Sequence, residues 1–331
     1  MPRFIIHHVT KYTYPDPVRD SANQIILYPI RDEYQDVLSH QLIITGEPTV
    51  EKYRDYYGNE IGTFMNIELH KELRIDSTKT IITKERVLPN VSSEPKDIEE
   101  QWDHLYQIKN VVPFIDFLIP EFFEASPEVK KIADPALYKS MPVFEAAKKL
   151  TDFVYKNFNY IKGVTNTRTT IDEVWKLKAG VCQDFAHILS VMLRLINIPA
   201  RYVSGYVCPK DKDLRGQGAT HAWVEAYIPF YGWIGLDPTN NCIVNDLHVR
   251  LAIGRNFSDC SPVKGTYKGS AKQSLEVGVS VSYEDGAVSK EVNAILEPQY
   301  ITPVTEPDGT SNSFRRYTDM MKIQQQQQQQ Q

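Results

Sequence analysis

The strongest constraint on the fold is a run of apolar residues that begins at a cysteine. After Cys182, Phe185, Ile188, Leu189, Met192, Leu195 and Ile196 recur at three- and four-residue steps, the spacing of one face of an α-helix. Asn197-Ile198-Pro199 ends the pattern, because proline cannot continue a helix. Ala179-Gly180-Val181 leads in as a small turn, so Cys182 falls in the first turn of a helix about four turns long. At that position, unpaired backbone N–H groups and the helix dipole favour a thiolate. The competing reading is a buried cysteine packed as a small hydrophobe, the commoner fate of this residue. The strands after the helix bear on the choice.

Ala200 to Val207 reads as a strand, and two more come after it, His221 to Ile228 and Trp233 to Asp237, joined by Pro229-Phe230-Tyr231-Gly232. Strand alternation puts His221, Trp223, Glu225 and Tyr227 on one face of the hairpin. Ala222, Val224, Ala226 and Ile228 take the other. If the register sets odd residues opposite odd residues, Asp237 joins His221 on the same face. A carboxylate beside an imidazole selects its tautomer and stabilises the imidazolium. With Cys182, these two residues make the thiol version of the nucleophile–base–orienter set. The backbone N–H of Cys182 would point toward an oxyanion formed on an attacked carbonyl. Three unrelated core residues remain the alternative. A zinc site from His221, Cys208 and Cys242 fits no ligand spacing.

The chain has 331 residues, room for two domains of about 150 residues each. Residues 1–86 read as an all-β, sandwich-like domain, with strands over 4–9, 24–28, 41–45, 62–69 and 73–83. Pro15-Asp16-Pro17, Gly46-Glu47-Pro48 and Tyr57-Gly58-Asn59 mark turns. His7, His8, His40 and His70 read as strand-surface or core residues. Residues 87–140, broken by prolines, form a partly helical connector between domains. The core runs over 141–296 with its following strands, Leu247 to Ile253 and Leu275 to Tyr283. Within it, Met141 to Phe158 is helical, and Thr170 with Glu173 forms a capping box for a short helix. Trp175 on that helix is a packing residue. Lys210 to Gly218 and Trp223 are placed to line a cleft. Residues 297–331 are irregular and end in polyglutamine, a compositionally disordered tail.

A net charge of −5 predicts no basic face for nucleic acid. The N-terminus has no apolar signal core, and no stretch reaches the length of a membrane span, so a cytoplasmic, membrane-free protein is expected. The four cysteines form no CxxC pair, in keeping with free thiols in a reducing compartment.

Gly180-Val181-Cys182-Gln183-Asp184-Phe185-Ala186, Ile198-Pro199-Ala200-Arg201-Tyr202-Val203-Ser204-Gly205-Tyr206, Thr220-His221-Ala222-Trp223-Val224-Glu225 and Trp233-Ile234-Gly235-Leu236-Asp237-Pro238-Thr239-Asn240 together resemble the bacterial transglutaminase-like family. The N-terminal β region and the segment from His248 to Asp259 resemble the blocks that flank its core. Asn197 departs from the family's usual glycine. The resemblance implies an α+β fold with a papain-like transglutaminase core, a cysteine helix packed on an antiparallel sheet, preceded by the β domain. It also implies Cys182 as nucleophile, His221 as general base and then acid, Asp237 as orienter, and no cofactor. The expected reaction is attack on an amide or peptide carbonyl through a thioester, resolved by water more readily than by an amine. A non-catalytic peptide- or protein-binding module with a relic triad is the alternative from another class. The sequence leaves substrate and oligomeric state unread.

Overall fold

The structure is a computed structural model described here over residues 1–88, 94–121, 123–166, 169–208, 215, 220–269 and 272–284. The polyglutamine tail and the strand-free end expected over 297–331 lie outside the described residues.

The N-terminal strands are β1 (Arg3–Ile25), β2 (Gln35–Ile44), β3 (Glu51–Arg54), β4 (Glu60–Asn66) and β5 (His70–Thr83). They run in the order β2-β5-β1-β4-β3, every pair antiparallel. The turn signal at Pro15-Asp16-Pro17 predicts two strands where the structure has β1 alone. β1 is continuous, and its register with β5 shifts between Thr13 and Val18. Proline has no N–H to donate, so the two prolines sit at the irregularity, where no ladder bond is required. Beyond that point β1 changes partners: its first half pairs with β5 and its second half with β4.

After the N-terminal strands come the α-helices α1 (Pro95–Ile108), α2 (Ser126–Ile132), α3 (Pro135–Tyr138) and α4 (Val143–Asn157), with a 3-10 turn over Asp116–Leu118 between the first two. The two-residue strand β6 (Asn159–Tyr160), α5 (Ile171–Leu177), the two-residue β7 (Ala179–Gly180) and α6 (Cys182–Leu195) come next. The core sheet is then built from β8 (Ala200–Val207), β9 (Thr220–Ile228), β10 (Gly232–Asp237), β11 (Cys242–Ile243) and β12 (His248–Gly254), in the order β11-β10-β9-β8-β12. A short helix α7 (Phe257–Cys260) leads to β13 (Val263–Lys268) and β14 (Ser274–Tyr283).

Sequence order groups these last two strands with the core. They return instead to the N-terminal sheet, where both pair with β1. A strand's neighbour is set by which edge still has free N–H and C=O groups, and chain order does not encode that. The segment expected as a partly helical connector carries α1, α2 and α3. Ile98, Trp102, Leu105, Val129, Ala133 and Tyr138 join the apolar cluster around α4 and α6. The Trp102 indole N–H donates to the Met141 carbonyl at 3.0 Å.

α6 lies on the face of β9 that carries Ala222, Val224, Ala226 and Ile228, all buried with Phe185, Ile188, Leu189 and Met192. Elsewhere on the core sheet, Tyr206, Val249 and Leu251 pack with Phe4, Ile6, Leu27 and Ile81 of the N-terminal region. Among the described residues no helix is long and apolar enough to cross a membrane.

α6 ends as its sequence requires. Asn197 adopts φ +63°, the Asn197 N–H donates to the Arg194 carbonyl at 3.0 Å, and the Ile198 N–H reaches Leu193 at 3.0 Å. This is a Schellman end with asparagine in the left-handed position, which asparagine tolerates better than most residues. The departure from glycine therefore leaves the helix end intact.

Candidate active site

Cys182 is the first residue of α6 and is partly exposed. Its position is held from both sides. On the N-terminal side, β7 pairs in parallel with β6, Tyr160 opposite Gly180, and the Ile161 N–H donates to the Gly180 carbonyl at 3.0 Å. On the helix side, Asp184 turns back to accept the Val181 N–H at 2.8 Å and the Thr165 hydroxyl at 2.6 Å, both on Oδ2. A carboxylate at the third helical position is the acidic half of a capping box. Val181 has no side-chain acceptor to complete the box, so its carbonyl accepts the Asp184 N–H at 3.0 Å instead. Burial pushes the Asp184 carboxyl up, against the pull of those two bonds. A Cβ on residue 180 would lie 2.5 Å from that Asp184 oxygen, so only glycine fits there. Asp184 is legible as a capping residue from its spacing to Val181, yet its tie to Thr165 is not.

His221 and Asp237 meet as the hairpin alternation predicts. Trp233 pairs with Tyr227 and Gly235 with Glu225, odd opposite odd, and the His221 Nε2 lies 2.8 Å from Asp237 Oδ2. Both side chains are fully buried. A carboxylate oxygen only accepts, so Nε2 carries the proton and the neutral ring keeps its lone pair on Nδ1. Nδ1 is buried with no hydrogen-bond partner among the described residues. Burial alone would depress the imidazole. The Asp237 charge, the hydrogen bond to it and the neighbouring Cys182 side chain reverse this and raise His221 well above its ordinary value. Burial opposes ionisation of Asp237 as well, and His221 and His248 overcome it, holding the carboxyl below the usual range. The three residues singled out from sequence are thus gathered in one place.

Asp237 has further partners that sequence reasoning misses. Its Oδ1 accepts from the backbone N–H of Thr239 at 2.9 Å and of Asn240 at 3.3 Å. Its Oδ2 accepts from the Asn240 side-chain amide at 2.8 Å and from His248 Nε2 at 3.4 Å. Asn240 sits three residues after the carboxylate, a spacing that signals an Asx-type turn. His248 comes from β12 and carries no such signal. It is buried, and burial first, with the charges of His221 and Arg86, keeps it below its ordinary value despite Asp237.

His221, Asp237 and His248 place three ligating atoms within 4.8 Å of one another. The chemistry would suit a divalent cation, but the 2.8 Å from His221 to Asp237 is a hydrogen-bond length. Ligand atoms on a tetrahedral zinc stand about 3.3 Å apart. The set fits a proton-sharing network better than a metal. Cys208 packs in the interface cluster between the two sheets and is not part of this group.

Trp223, expected to line a cleft, is instead fully buried with Val203 and Val244, beside the His221 ring at 6.2 Å. A cavity of about 440 Å³ opens between α4 and β10, lined by Met141, Lys148, Asp152, Leu236 and Cys242, and none of the three gathered residues borders it. Of the loop expected at a cleft edge, Lys210 to Gly218, only Arg215 lies within the described residues. Its N–H donates at 2.8 Å to Oδ1 of Asn240, the residue gripping Asp237. Trp175, read as a packing residue, is buried, with its indole N–H on Glu128 at 2.8 Å.

Further along the His221 face, the fully buried Glu225 accepts from Arg201 Nε at 2.7 Å and Arg250 Nη1 at 3.3 Å, with Arg86 at 3.7 Å. Arg250 also pairs with Asp32. This ion cluster pins the sheet face beneath the site to the N-terminal half.

A cysteine at a helix start, packed on an antiparallel sheet that carries a buried histidine–aspartate pair, defines a transglutaminase-like fold. Residues 130–238 match the transglutaminase-like superfamily, and residues 4–81 match the bacterial transglutaminase-like N-terminal region. An uncharacterized protein of Mycobacterium tuberculosis is 31% identical over 300 residues, covering 84% of this chain and 92% of the relative. A second, from Mycobacterium leprae, is 28% identical over 283 residues, covering 85% and 98%. Among solved structures, a protein from Cytophaga hutchinsonii described as a candidate cysteine protease superposes with a TM-score of 0.65 at 26% identity, covering 87% of this chain and 92% of that one. The chain belongs to the transglutaminase-like superfamily, in its bacterial form with the N-terminal β region.

Proposed function

We propose that the protein is a thiol enzyme acting on an amide or peptide carbonyl. Cys182 attacks, His221 takes the thiol proton on Nδ1 and passes it to the leaving amine, and Asp237 keeps the ring in that tautomer. A thioester forms on Cys182, and water hydrolyses it with His221 as base. The observation that carries this reading is the buried 2.8 Å bond from His221 Nε2 to Asp237, which leaves Nδ1 for the Cys182 side. The solved relative described as a candidate cysteine protease supports hydrolysis of a peptide or protein substrate.

Amine transfer is the second reading. A Pseudomonas aeruginosa protein named protein-glutamine gamma-glutamyltransferase is 30% identical over 122 residues, though this covers only 18% of that protein. Peptide-library digestion read by mass spectrometry separates the two, since transfer leaves cross-linked products and hydrolysis leaves cleaved or deamidated ones.

Alkylation tests the nucleophile directly. Burial pushes the Cys208 and Cys260 thiols well above their ordinary value and Cys242 up to about 12, so these three are slow. Cys182 is expected to alkylate first with iodoacetamide at neutral pH, and His221→Ala to slow it sharply. Equal, slow labelling of all four cysteines in the intact protein would refute the proposal and leave the binding-module reading standing.

A further inference from the structure

An oxyanion needs two donors, and the first turn of α6 supplies only backbone N–H groups from one side. The nearest candidate for the other side is on β6. Tyr160 pairs with Gly180, two residues before the cysteine, and backbone bonds hold its strand on both flanks, Asn159 N–H to the Lys178 carbonyl at 2.8 Å and Ile161 N–H to Gly180 at 3.0 Å. Its ring stands edge-on to Phe185 of α6, with ring centres 6.3 Å apart, and packs on the apolar core while staying half-buried. The hydroxyl makes no hydrogen bond to any described residue, although it lies close enough to Cys182 and Asp237 to feel the charge of both. The Thr165 hydroxyl donates to Asp184, and the Trp223 indole is sealed in the sheet.

We propose that Tyr160 is a catalytic residue whose hydroxyl donates a hydrogen bond to the oxyanion formed when Cys182 attacks. The inference rests on the reading of Cys182 as nucleophile. As the Sγ–C bond forms, the carbonyl π pair moves onto oxygen, and the Tyr160 O–H and the Cys182 backbone N–H donate to it. Tyr160 keeps its proton throughout. When the pair returns, the C–N bond breaks and the leaving amine takes its proton from His221. Burial, reinforced by Cys182 and Asp237, holds the phenol protonated well above the ordinary tyrosine range, which keeps it a donor at every working pH. A strand two residues long, whose sole described partner is the turn before the cysteine, gives the phenol a fixed position relative to Sγ.

Two reactions at the same sulfur separate this role from a structural one. Alkylation by iodoacetamide displaces iodide at a saturated carbon and makes no oxyanion. Acylation by p-nitrophenyl acetate does make one, and a burst of p-nitrophenol reads it. Tyr160→Phe is expected to alkylate at Cys182 within about twofold of wild type, showing an intact fold and thiol. Its acylation burst is expected to slow by about 10²–10³-fold, the range for loss of one oxyanion donor. Acylation at the wild-type rate overturns the proposal. A parallel fall in both reactions also overturns it, because Tyr160 then only positions the cysteine. If wild type gives no burst that Cys182→Ala abolishes, the nucleophile reading itself fails, and this inference fails with it.

Discussion

Asp237→Asn is the change for which the structure makes the sharpest forecast. Every group that faces the Asp237 carboxylate is a donor. Oδ1 meets two backbone N–H groups, and Oδ2 meets the Asn240 amide, His221 and His248. An asparagine supplies one acceptor and one NH₂, so each of its two orientations puts the NH₂ against donors. With the NH₂ toward the backbone, the N–H groups of Thr239 and Asn240 are stranded in a fully buried site. At about 1–3 kcal/mol for each unsatisfied group, that costs about 2–6 kcal/mol of stability. With the NH₂ toward His221, the ring must accept on Nε2 and move its proton to Nδ1, the atom that faces Cys182. A base protonated on the wrong nitrogen costs on the order of 10³–10⁴-fold in acylation rate, as in other triads. The variant is therefore expected to show a large loss in urea-unfolding free energy, a large loss in the p-nitrophenyl acetate burst, or a share of both. Asp237 has its folded-state pKa lowered, so its contribution is present above the ordinary carboxyl pKa near 3.9. The stability deficit of the variant should hold across neutral pH and shrink as pH falls below about 4. A variant within about 0.5 kcal/mol of wild type that also acylates at the wild-type rate would refute the reasoning.

Glu225→Gln removes the carboxylate that Arg201, Arg250 and Arg86 share, and should cost about 3–5 kcal/mol in urea unfolding; an unchanged midpoint would show that the arginines find other partners. Lys79 is buried, its hydrogen-bond partners among the described residues being the Leu27 carbonyl and the Tyr206 hydroxyl, and burial lowers its amine to about 7. Between there and its unfolded value of about 10.4 the unfolded chain binds the extra proton, so stability of wild type relative to Lys79→Met should rise with pH across that window, and a flat difference would contradict the burial. Asn197→Gly should raise stability by on the order of 0.5 kcal/mol, because glycine takes φ +63° without the Cβ strain of about 1–2 kcal/mol and gives back only part of that as chain entropy. A lower urea midpoint would mean that the asparagine side chain contributes more than its conformation costs.

Local signals in the chain are enough to place the helix behind Cys182, the capping box at Thr170 and the hairpin that puts His221 and Asp237 on one face. Each depends on a short periodicity or on hydrogen bonding between residues three or four apart, which any chain carries in its own order. The turn signal at Pro15-Asp16-Pro17, which the structure does not obey, shows the limit of such cues. Prolines forbid a ladder bond, but whether the strand stops or tolerates an irregularity depends on a partner strand 50 or more residues away in the chain.

The amino-acid order alone determined the candidate chemistry: a cysteine poised at a helix start, and a histidine and carboxylate on strands of matching phase. Tertiary structure alone decided what surrounds that chemistry. It brought His248 from β12 onto Asp237, folded Thr165 onto Asp184, laid Tyr160 beside the turn before the cysteine, and returned β13 and β14 to the N-terminal sheet. Such contacts join residues whose separation leaves no periodic trace. They form because buried donors, acceptors and strand edges must each find a partner once the layers close.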